Sequence, residues 1–388
     1  MKYYIIAGEA SGDLHGSNLI KELKLLDANA ALRAWGGDKM EAAGATLVKH
    51  YRELAFMGFI EVIKNLATIF RNLAFCKEDI NHFRPDLLIL IDYPGFNLRI
   101  SEWAHTQGYK VIYYISPQVW AWKENRVKAI KRNVDKMLVI LPFEKEFYKK
   151  WNFEVEYVGH PLAQVIEEFK VRRLKEGIEL KLYKPHPSGE NFTLHTPVSP
   201  LIAILPGSRK QEILKKLPTM LEVSKLFPEY HFVVAKAPGI EDSFYAGLLT
   251  PYHNVSSVVN QTYELLSQAK AALVTSGTAT LETALFGVGE VVCYKGSPVS
   301  YQIAKRLIRI KYICLVNLIM DREVVKELIQ KELTVFNVAR ELELILTNPI
   351  KQAQLNTDYT VLKDLLSQGG NASANAARIV YETVNGQL

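Results

Sequence analysis

Short apolar runs alternate with helical patterns along most of the chain. In the first half, the runs that predict β-strands are Tyr3–Ala7, Leu32–Trp35, Leu87–Asp92, Val111–Ile115, Met137–Ile140 and Val155–Val158. After residue 200, strands are predicted at Ile202–Leu205, Phe232–Ala235, Ala271–Thr275 and Val291–Tyr294. This alternation is typical of parallel sheets with helices on both faces. We therefore expect an α/β protein with two Rossmann-like domains facing a central cleft, at the carboxyl ends of their strands.

The length of 388 residues exceeds a single ordinary core, which also favours two domains. We expect an N-terminal domain over residues 1–165, a linker with an irregular insertion over 166–200, and a second domain over 201–350. The linker is expected because Glu167–Pro200 is first charged and then rich in Pro, Ser, Gly and His. Residues 351–388 are expected to form helices, and one possible arrangement is that these helices pack on the N-terminal domain.

Composition narrows the class of protein. A hydrophobic content of 48% with 23% charged residues is typical of a soluble globular enzyme. No secretory signal is visible, and the apolar runs are too short for a transmembrane helix. Three scattered cysteines without C-x-x-C spacing indicate a reducing compartment and no cysteine-based metal site. A net charge of +6 permits an anionic substrate or membrane surface and requires neither.

Two similar turns in the second half are candidates for binding phosphate. Ile204–Arg209 and Leu273–Glu282 each join an apolar strand to small residues that open a helix, where unpaired N–H groups attract anions. Arg209 adds a planar fork of donors suited to a diphosphate. Glu282 could accept hydrogen bonds from a ribose or act as a charge partner for the helix N-terminus. Neither turn has P-loop spacing, and each alone could serve only for tight turning, but the pair suggests a nucleotide-linked substrate.

The opening turn, Gly8–Gly16, lacks the G-x-G-x-x-G spacing of a dinucleotide site. A nicotinamide site would also need an acidic residue closing the second strand, and Leu32–Gly37 has none. A nicotinamide cofactor is therefore not expected. The sequence leaves open the alternative that this glycine-rich turn lies beneath a bound sugar or phosphate.

Asp92 is the candidate general base. It ends the apolar run Leu87–Ile91, and Pro94 and Gly95 turn the chain immediately afterwards. Partial burial at the end of a central strand would raise its pKa and suit it to take a proton from a hydroxyl. The alternative, which position alone favours, is a turn aspartate that binds the following backbone.

Two apolar or aromatic stretches could meet other molecules. Tyr113–Trp122 precedes a basic stretch, and a solvated face or a seat for anionic lipid headgroups is favoured there over nucleic acid, for which no binding pattern is present. Within Phe56–Phe75, a helix would carry an apolar arc of roughly 180°, broader than docking on a core requires. The arc and the basic residues at its edge include Phe59, Ile60, Ile63, Leu66, Ile69, Phe70 and Leu73, with Lys64 and Arg71. Such a helix could receive acyl chains or lie on a membrane, and a core helix is equally compatible.

Several motifs together carry a family resemblance. They are Ala7–Asp13, Ile91–Asn97, Tyr114–Trp122, Leu141–Glu144, Val158–Pro161, Leu205–Arg209 and Thr275–Glu282. In this order they resemble the lipid-A-disaccharide synthase family, and the Ser-Pro-x-Val-Trp-Ala-Trp run is highly specific. The resemblance implies an inverting glycosyltransferase of GT-B architecture at the cytoplasmic face of the inner membrane of Gram-negative bacteria. Its substrates would be UDP-2,3-diacylglucosamine and 2,3-diacylglucosamine 1-phosphate (lipid X), and its products UDP and the β-1,6-linked disaccharide.

The resemblance also implies roles for residues. Asp92 would be the general base and Arg209 would hold the diphosphate. The remaining residues implied for the UDP site are Gly207, Ser208, Ser276, Gly277, Thr278, Ala279 and Glu282. Candidates for facing the cleft are Gly8, Ser11, Gly12, Asn317 and Arg322. Neither a metal nor another cofactor is expected, since no D-x-D motif is present and cationic groups of the protein can replace a metal.

The chain departs from the family pattern at two places. Some relatives carry a second acid where this chain has Gly95, so a mechanism needing two carboxylates in that turn cannot operate here. The stretch Gly177–Pro200 is also longer than the usual linker.

Two other functions compete with this interpretation. One is another UDP-sugar enzyme, such as a UDP-N-acetylglucosamine 2-epimerase or a peptidoglycan glycosyltransferase. The other is a membrane-surface protein that binds a nucleotide sugar without turnover. The Trp120–Trp122 run and the apolar helix favour the lipid substrate, and Asp92 argues against a protein without turnover. The expected partners are the two lipid substrates and an anionic membrane surface, with no nucleic acid, while a homodimer is left open.

Overall fold

Two α/β units make up the chain in a computed structural model. One unit is Met1–Gln164 with Leu366–Leu388, and the other is Val165–Leu365. The structure describes residues 1–53, 66–185, 191–194, 199–297, 301 and 310–386.

The first unit is built on a seven-stranded sheet. Its strands are Lys2–Ala7 (β1), Ala31–Gly36 (β2), Thr46–His50 (β3), Leu87–Ile91 (β4), Val111–Tyr114 (β5), Lys136–Val139 (β6) and Glu156–Tyr157 (β7). Its helices are Ala10–Leu26 (α1), Asp38–Ala42 (α2), Leu66–Phe83 (α3), Pro94–Thr106 (α4), Val127–Asn133 (α5) and Glu144–Lys149 (α6), with 3₁₀ turns at Tyr51–Glu53 and Glu124–Arg126. The helix Pro161–Glu176 (α7) contains the boundary with the second unit.

The second unit contains an eight-stranded sheet. Its strands are Leu182–Pro185 (β8), Asn191–Leu194 (β9), Leu201–Leu205 (β10), His231–Lys236 (β11), Val255–Val259 (β12), Ala269–Thr275 (β13), Gly289–Tyr294 (β14) and Lys326–Ile329 (β15). Its helices are Lys210–Ser224 (α8), Asp242–Leu249 (α9), Thr262–Leu266 (α10), Thr278–Leu285 (α11), Leu315–Met320 (α12) and Val335–Thr347 (α13), with a 3₁₀ turn at Gln330–Glu332. Pro349–Ser367 (α14) contains the second boundary, and Ala372–Asn385 (α15) belongs to the first unit.

The first sheet and the parallel part of the second sheet, β15 to β12, each reverse their strand order once. The order is β3-β2-β1-β4-β5-β6-β7 in the first and β15-β14-β13-β10-β11-β12-β8-β9 in the second. The central pairs β1/β4 and β10/β13 are parallel, with Ala7 beside Ile91 and Leu205 beside Val274. In such sheets, ligands bind beyond the carboxyl ends of the two strands where the order reverses. This topology therefore marks one candidate site in each unit.

The predicted strands and the predicted α/β class are confirmed, but five strands were missed: β3, β12 and β15, and also β8 and β9 within the expected linker. The strands β3, β12 and β15 are short, and polar residues interrupt their apolar pattern, as in Val-Ser-Ser-Val-Val for β12. For the described residues of Glu167–Pro200, the expectation of an irregular segment was wrong. The helix α7 runs to Glu176, and β8 and β9 pair antiparallel with each other while β8 pairs with β12. This segment adopts regular structure because Leu180 and Leu182 are buried in the core of the second unit.

A polar network fixes α3 against the first sheet. The Asp79 carboxylate accepts a hydrogen bond from Tyr4 Oη at 2.6 Å and two from the Arg33 guanidinium at 2.8 and 2.5 Å. Trp35 Nε1 in turn donates to Tyr4 Oη at 2.8 Å. Because buried polar groups must be paired, this network sets the rotation of α3 about its axis. It leaves the Phe70 side chain 61% exposed.

The apolar arc predicted over Phe56–Phe75 is therefore divided in α3. Leu73 is buried in the core of the first unit, and Ile69 is partly buried against it. Phe70 and Arg71 are exposed, and Arg71 Nη2 donates to Thr68 Oγ1 at 3.1 Å. Outside the described residues lie Phe59, Ile60, Ile63 and Lys64, and the side chain of Leu66 is also outside the description. Among the helices of the described ranges, none combines the length and apolar character needed to cross a membrane.

The last helix, α15, packs on α1 within the first unit. Ala376, Ala377 and Val380 are buried in the core on that face of the sheet. Asn375 Nδ2 donates to the carbonyl of Val158 at 3.1 Å, and Lys110 Nζ donates to that of Thr383 at 3.2 Å. The C-terminal residues thus complete one face of the first core.

The side chain of Glu144 joins two of the sequence motifs inside the first unit. Glu144 is 1% exposed, and its Oε2 accepts a hydrogen bond from the Leu141 N–H at 3.0 Å. Nearby, Ser116 Oγ and Tyr148 Oη lie 2.7 Å apart, and the Trp120 ring meets Phe143 edge-on at 5.0 Å. Burial raises the pKa of Glu144 to about 7. This carboxyl group therefore supports the fold of both motifs.

We expect Glu144→Gln to change the pH dependence of stability. Because the pKa of Glu144 is higher in the folded chain than in the unfolded chain, Glu144 adds to the free energy of unfolding at low pH. This contribution is fully present below about pH 4.5 and is lost as the pH rises through about 7. Between these values the parent should lose up to about 1.4 kcal/mol per pH unit from this group, and the Gln variant should not. Urea unfolding from pH 4.5 to 8 measures this, with Glu146→Gln, an exposed carboxylate in α6, as control. Parallel curves for the parent and Glu144→Gln would contradict it.

Candidate active site

The carboxyl ends of β10 and β13 open into a pocket of about 320 Å³ in the second unit. Both predicted phosphate turns contribute to it. The residues of these turns that line it are Leu205, Pro206, Gly207, Ser208, Thr275, Ser276, Gly277, Thr278, Ala279 and Glu282. The structure thus brings together seven of the eight residues implied for the UDP site, all except Arg209.

The two helices that begin at this pocket present uncapped N-termini. The residue before α8 is Arg209 and the residue before α11 is Gly277, and no side chain at either position accepts a hydrogen bond from the backbone N–H groups of the first turn. Gly207 has a φ of 109°, a left-handed conformation that favours glycine, so its backbone can turn tightly before α8. Free N–H groups and the positive ends of two helix dipoles suit this pocket to an anion.

Arg209 lies outside the pocket lining but is linked to it. Its side chain is 58% exposed, and Nη1 lies 3.4 Å from Oε1 of Glu212, which lines the pocket. An exposed ion pair of this kind contributes little to stability. Arg209 can therefore exchange Glu212 for an anionic ligand at small cost.

Glu282 lines the same pocket and is partly buried. Its Oε1 accepts a hydrogen bond from Tyr263 Oη at 3.0 Å, and burial raises its pKa above the usual value. A carboxyl group held in this way can still accept a hydrogen bond from a hydroxyl group of a ligand through its free lone pairs.

Sequence reasoning missed Glu212, Thr262 and Lys236, which also line the pocket. The Lys236 side chain is 2% exposed, and its Nζ donates to Asp242 Oδ1 at 2.8 Å. The sequence pattern could have indicated Lys236, because a charged residue ends the apolar strand β11 there, just as Asp92 follows the apolar strand β4.

In the first unit, the turns after β1 and β4 meet where the strand order reverses. Asn97 joins them, because its Nδ2 donates to the carbonyls of Ile6 at 3.3 Å and Asp92 at 2.9 Å. The Tyr93 ring covers Gly8 so closely that a Cβ there would lie 2.3 Å from it. Gly8 is therefore needed for this approach.

The other residues of the opening turn have different environments. Ser11 is exposed, whereas Gly12 packs against Ala7, whose Cβ would be 3.0 Å from a Cβ at Gly12. Asp13 accepts hydrogen bonds from the N–H groups of Gly37 at 2.8 Å and Met40 at 3.0 Å. Asp13 thus stabilises the start of α2, and the exposed side chain of Ser11 is open to a ligand.

Asp92 has the environment of a base. Burial is the main reason that its pKa is raised to about 6, and the nearby Glu9 carboxylate adds to the effect. Its φ of 44° and that of Tyr93, 50°, are left-handed and unusual for residues other than glycine. Tyr113 Oη donates to the Asp92 carbonyl and Asn97 shares that acceptor, so this conformation is held by the buried neighbours. Ile115, after β5, has a φ of 65°, which is strained for a β-branched residue.

Asn317 and Arg322, the two candidates for facing the cleft in the second unit, both bind other groups of that unit. Asn317 is 0% exposed, and its Nδ2 donates hydrogen bonds to the Val325 carbonyl and to Glu327 Oε1. Its Oδ1 accepts hydrogen bonds from the N–H groups of Val324 and Val325. Its amide is therefore fully used within the second unit. Arg322 forms a two-point ion pair with Asp358 at 2.9 and 2.6 Å. Both residues stabilise the packing around α12 and α14.

Comparison with known proteins identifies the family. A family model described as "Lipid-A-disaccharide synthetase" matches residues 3–380. Proteins named lipid-A-disaccharide synthase from Geobacter metallireducens and Coxiella burnetii are 38% and 35% identical. The first match covers 97% of this chain and 96% of the relative, and the second covers 98% of each. The chain belongs to the lipid-A-disaccharide synthase family.

Solved structures agree with the fold of this lipid-A-disaccharide synthase family member. The UDP-GlcNAc 2-epimerase of Neisseria meningitidis superposes with a TM-score of 0.66 at 15% identity, covering 100% of both chains. The calicheamicin glycosyltransferase CalG4 superposes with a TM-score of 0.58 at 17% identity, covering 100% of this chain and 98% of that one. At these identities the likeness confirms the two-unit α/β fold alone.

Proposed function

We propose that the chain is an inverting glycosyltransferase of lipid A biosynthesis. It joins UDP-2,3-diacylglucosamine to the 6-hydroxyl of 2,3-diacylglucosamine 1-phosphate, forming the β-1,6 disaccharide and UDP. The observation that carries the proposal is Asp92, a partly buried carboxyl with a pKa of about 6 where the strand order of the first unit reverses. Family membership supports the choice of substrates.

The second unit would bind the donor. Its pocket offers the uncapped starts of α8 and α11 to the diphosphate, with Arg209 adding a guanidinium. Glu282 would accept hydrogen bonds from the ribose. Because these positive groups are held in place before the reaction, they stabilise the charge that develops on UDP as it leaves.

Asp92 would start the reaction as a general base. The carboxylate takes the proton of the acceptor 6-hydroxyl, whose oxygen forms a bond to C1 of the donor sugar. The bond between C1 and the UDP oxygen breaks, and UDP leaves with the electron pair. Attack from the face opposite UDP inverts the configuration at C1. A pKa near 6 leaves most of Asp92 ionised at neutral pH while keeping it basic enough to accept the proton.

Lipid substrates require an apolar surface, and the first unit has one beside cationic groups. Phe70 and Phe75 of α3 are exposed, as is Trp122, over whose ring Lys123 Nζ lies at 4.3 Å. Aromatic and basic side chains of this kind suit the interface of an anionic membrane. We infer a peripheral location on the inner face of the inner membrane, where acyl chains of the substrates would meet α3.

A UDP-N-acetylglucosamine 2-epimerase is the competing function, because epimerases share the fold. Relatives at 33–38% identity are named lipid-A-disaccharide synthase, whereas the epimerase is 15% identical. Sequence relationship over nearly the whole chain therefore favours the transferase.

The defining experiment supplies the purified protein with UDP-2,3-diacylglucosamine and lipid X and measures UDP and disaccharide. We expect kcat/KM to rise with pH and to be half-maximal near pH 6, because Asp92 must be deprotonated. Asp92→Asn should lower turnover by about 10² to 10⁴-fold while UDP binding is kept. Turnover within a few-fold of the parent would exclude Asp92 as the base, and absence of disaccharide from the parent would exclude the proposed reaction.

Arg209→Ala should weaken UDP binding by about 1.5 to 3 kcal/mol, because a hydrogen bond to a charged group is lost. Arg209→Lys should restore only part of the affinity, since an ammonium group cannot make a bidentate contact. Isothermal titration calorimetry with UDP measures both variants. Lys210→Ala, the exposed neighbouring cation, serves as control. Equal UDP affinity in the parent and Arg209→Ala would place the diphosphate elsewhere.

Phe70→Ser should separate lipid contact from core packing. Because Phe70 is 61% exposed, stability should change by no more than about 0.5 kcal/mol. Leu73→Ala, three residues further along α3 and 6% exposed, should cost about 2 to 5 kcal/mol. We expect Phe70→Ser to raise the KM for acylated acceptor and to weaken binding to anionic vesicles. Unchanged vesicle binding and KM would mean that another surface receives the acyl chains.

A further inference from the structure

A cationic groove lies between α4 and α5 in the first unit. Its volume is about 240 Å³, and Pro94, Gly95, Arg99, Glu102 and Arg126 are among its lining residues. Pro94 is two residues beyond Asp92 in the chain, so the groove starts beside the proposed base. None of the roles assigned above uses it.

The charges of the groove are not balanced. Glu102 Oε1 lies 3.7 Å from Arg132 Nη2, so the carboxylate of the groove already has a cationic partner. Within the part of the chain that the structure describes, no carboxylate lies within ion-pair distance of Arg99 or Arg126. Arg99 instead donates to the carbonyl of Gly95. Two guanidinium groups without carboxylates favour an anion, and a phosphate matches their fork of donors.

Arg126 of the groove acts on a residue that holds the Asp92 turn. Burial is the main reason that the pKa of Tyr113 lies well above its usual value, and the positive charge of Arg126 opposes this rise. Tyr113 Oη donates to the carbonyl of Asp92. Arg126 is therefore close enough to the Asp92 turn to influence the groups that hold it.

Gly95 leaves the groove open. A Cβ at this position would have no atom within 4 Å, so the position faces free space. Gly95 lies in the first turn of α4, and its φ is not positive. Side chains are therefore tolerated at this position without backbone strain, and its lack of one keeps this end of the groove accessible.

We propose that this groove binds the phosphate group of a sugar phosphate acceptor and thereby directs the acceptor hydroxyl towards Asp92. The inference rests on the proposed function and adds a phosphate subsite to it. In lipid X, the phosphate on C1 and the hydroxyl on C6 belong to one pyranose ring, so binding the first fixes the position of the second. Arg99 and Arg126 are positioning residues in this scheme, and the proton transfer stays with Asp92.

The first test compares two acceptors in detergent solution: lipid X and 2,3-diacylglucosamine without phosphate. Arg126→Ala and Arg99→Ala should each raise the KM for lipid X by about 10- to 100-fold and leave the KM for the UDP-sugar donor unchanged. With the acceptor that lacks phosphate, the same variants should match the parent. Lys128→Ala, which removes an exposed cation from α5, is the matched control. An equal effect of Arg126→Ala on both acceptors would overturn the proposal.

The second test changes the groove without removing an arginine. Ala129→Glu, at an exposed position of α5 that lines the groove, should weaken lipid X through repulsion of its phosphate, whereas the neutral Ala129→Gln of nearly the same shape should not. Because the position is exposed, both variants should keep the fold. If both variants raise the KM equally, shape and not charge is responsible, and the phosphate subsite is excluded.

A third measurement separates this proposal from the proposed reaction and from bulk lipid. Binding of lipid X in micelles without donor reports the subsite even if the parent makes no disaccharide. Loss of that binding in Arg126→Ala supports the groove, and unchanged binding overturns it. Sedimentation with phosphatidylglycerol vesicles should be the same for the parent and Arg99→Ala, the variant that leaves the contact of Arg126 with the Trp122 ring intact. If vesicle binding falls while lipid X binding is unchanged, the groove contacts membrane headgroups and the proposal is wrong.

Discussion

The reversal of strand order between β1 and β4, and between β10 and β13, is the constraint on which both sites depend. On either side of each reversal, the connecting helices pack on opposite faces of the sheet, which leaves a crevice beyond the strand ends. The turns that carry Asp92 and Arg209 both start there. Asn97 shows how tightly the first reversal is held, since one amide group binds carbonyls from the ends of both strands.

Burial then gives the residues at these ends their chemistry. Asp92 is basic enough to accept a proton because apolar strands and Glu9 surround it. Glu282 is held by Tyr263, and Lys236 reaches the pocket wall with Asp242 as its counter-charge. The same polar side chains on a solvent-exposed loop would keep ordinary properties. The sheets thus do more than support the site, because they set its electrostatics.

Many residues of the most specific motifs serve the scaffold. Asp13 stabilises the start of α2, Glu144 supports the aromatic run, and Asn317 uses its whole amide inside the second unit. A buried polar group that satisfies several backbone groups cannot be replaced without leaving them unpaired, so its type is strongly specified. Motif specificity therefore does not distinguish a ligand contact from a structural contact, and Asn317 shows the consequence.

The sequence by itself determined the α/β class, the strands with unbroken apolar runs and the family, because these depend on local patterns and on motif order. It also placed Asp92 at a strand end. Tertiary structure alone decided that β8 and β9 extend the second sheet, since the pairing of β8 with β12 joins distant residues and β9 pairs with β8. It also decided that Phe70 is exposed while Leu73 is buried, because the Tyr4–Asp79–Arg33 network sets the rotation of α3. The groove of Arg99 and Arg126 was not predicted for the same reason, because it forms between two elements that are separated in sequence.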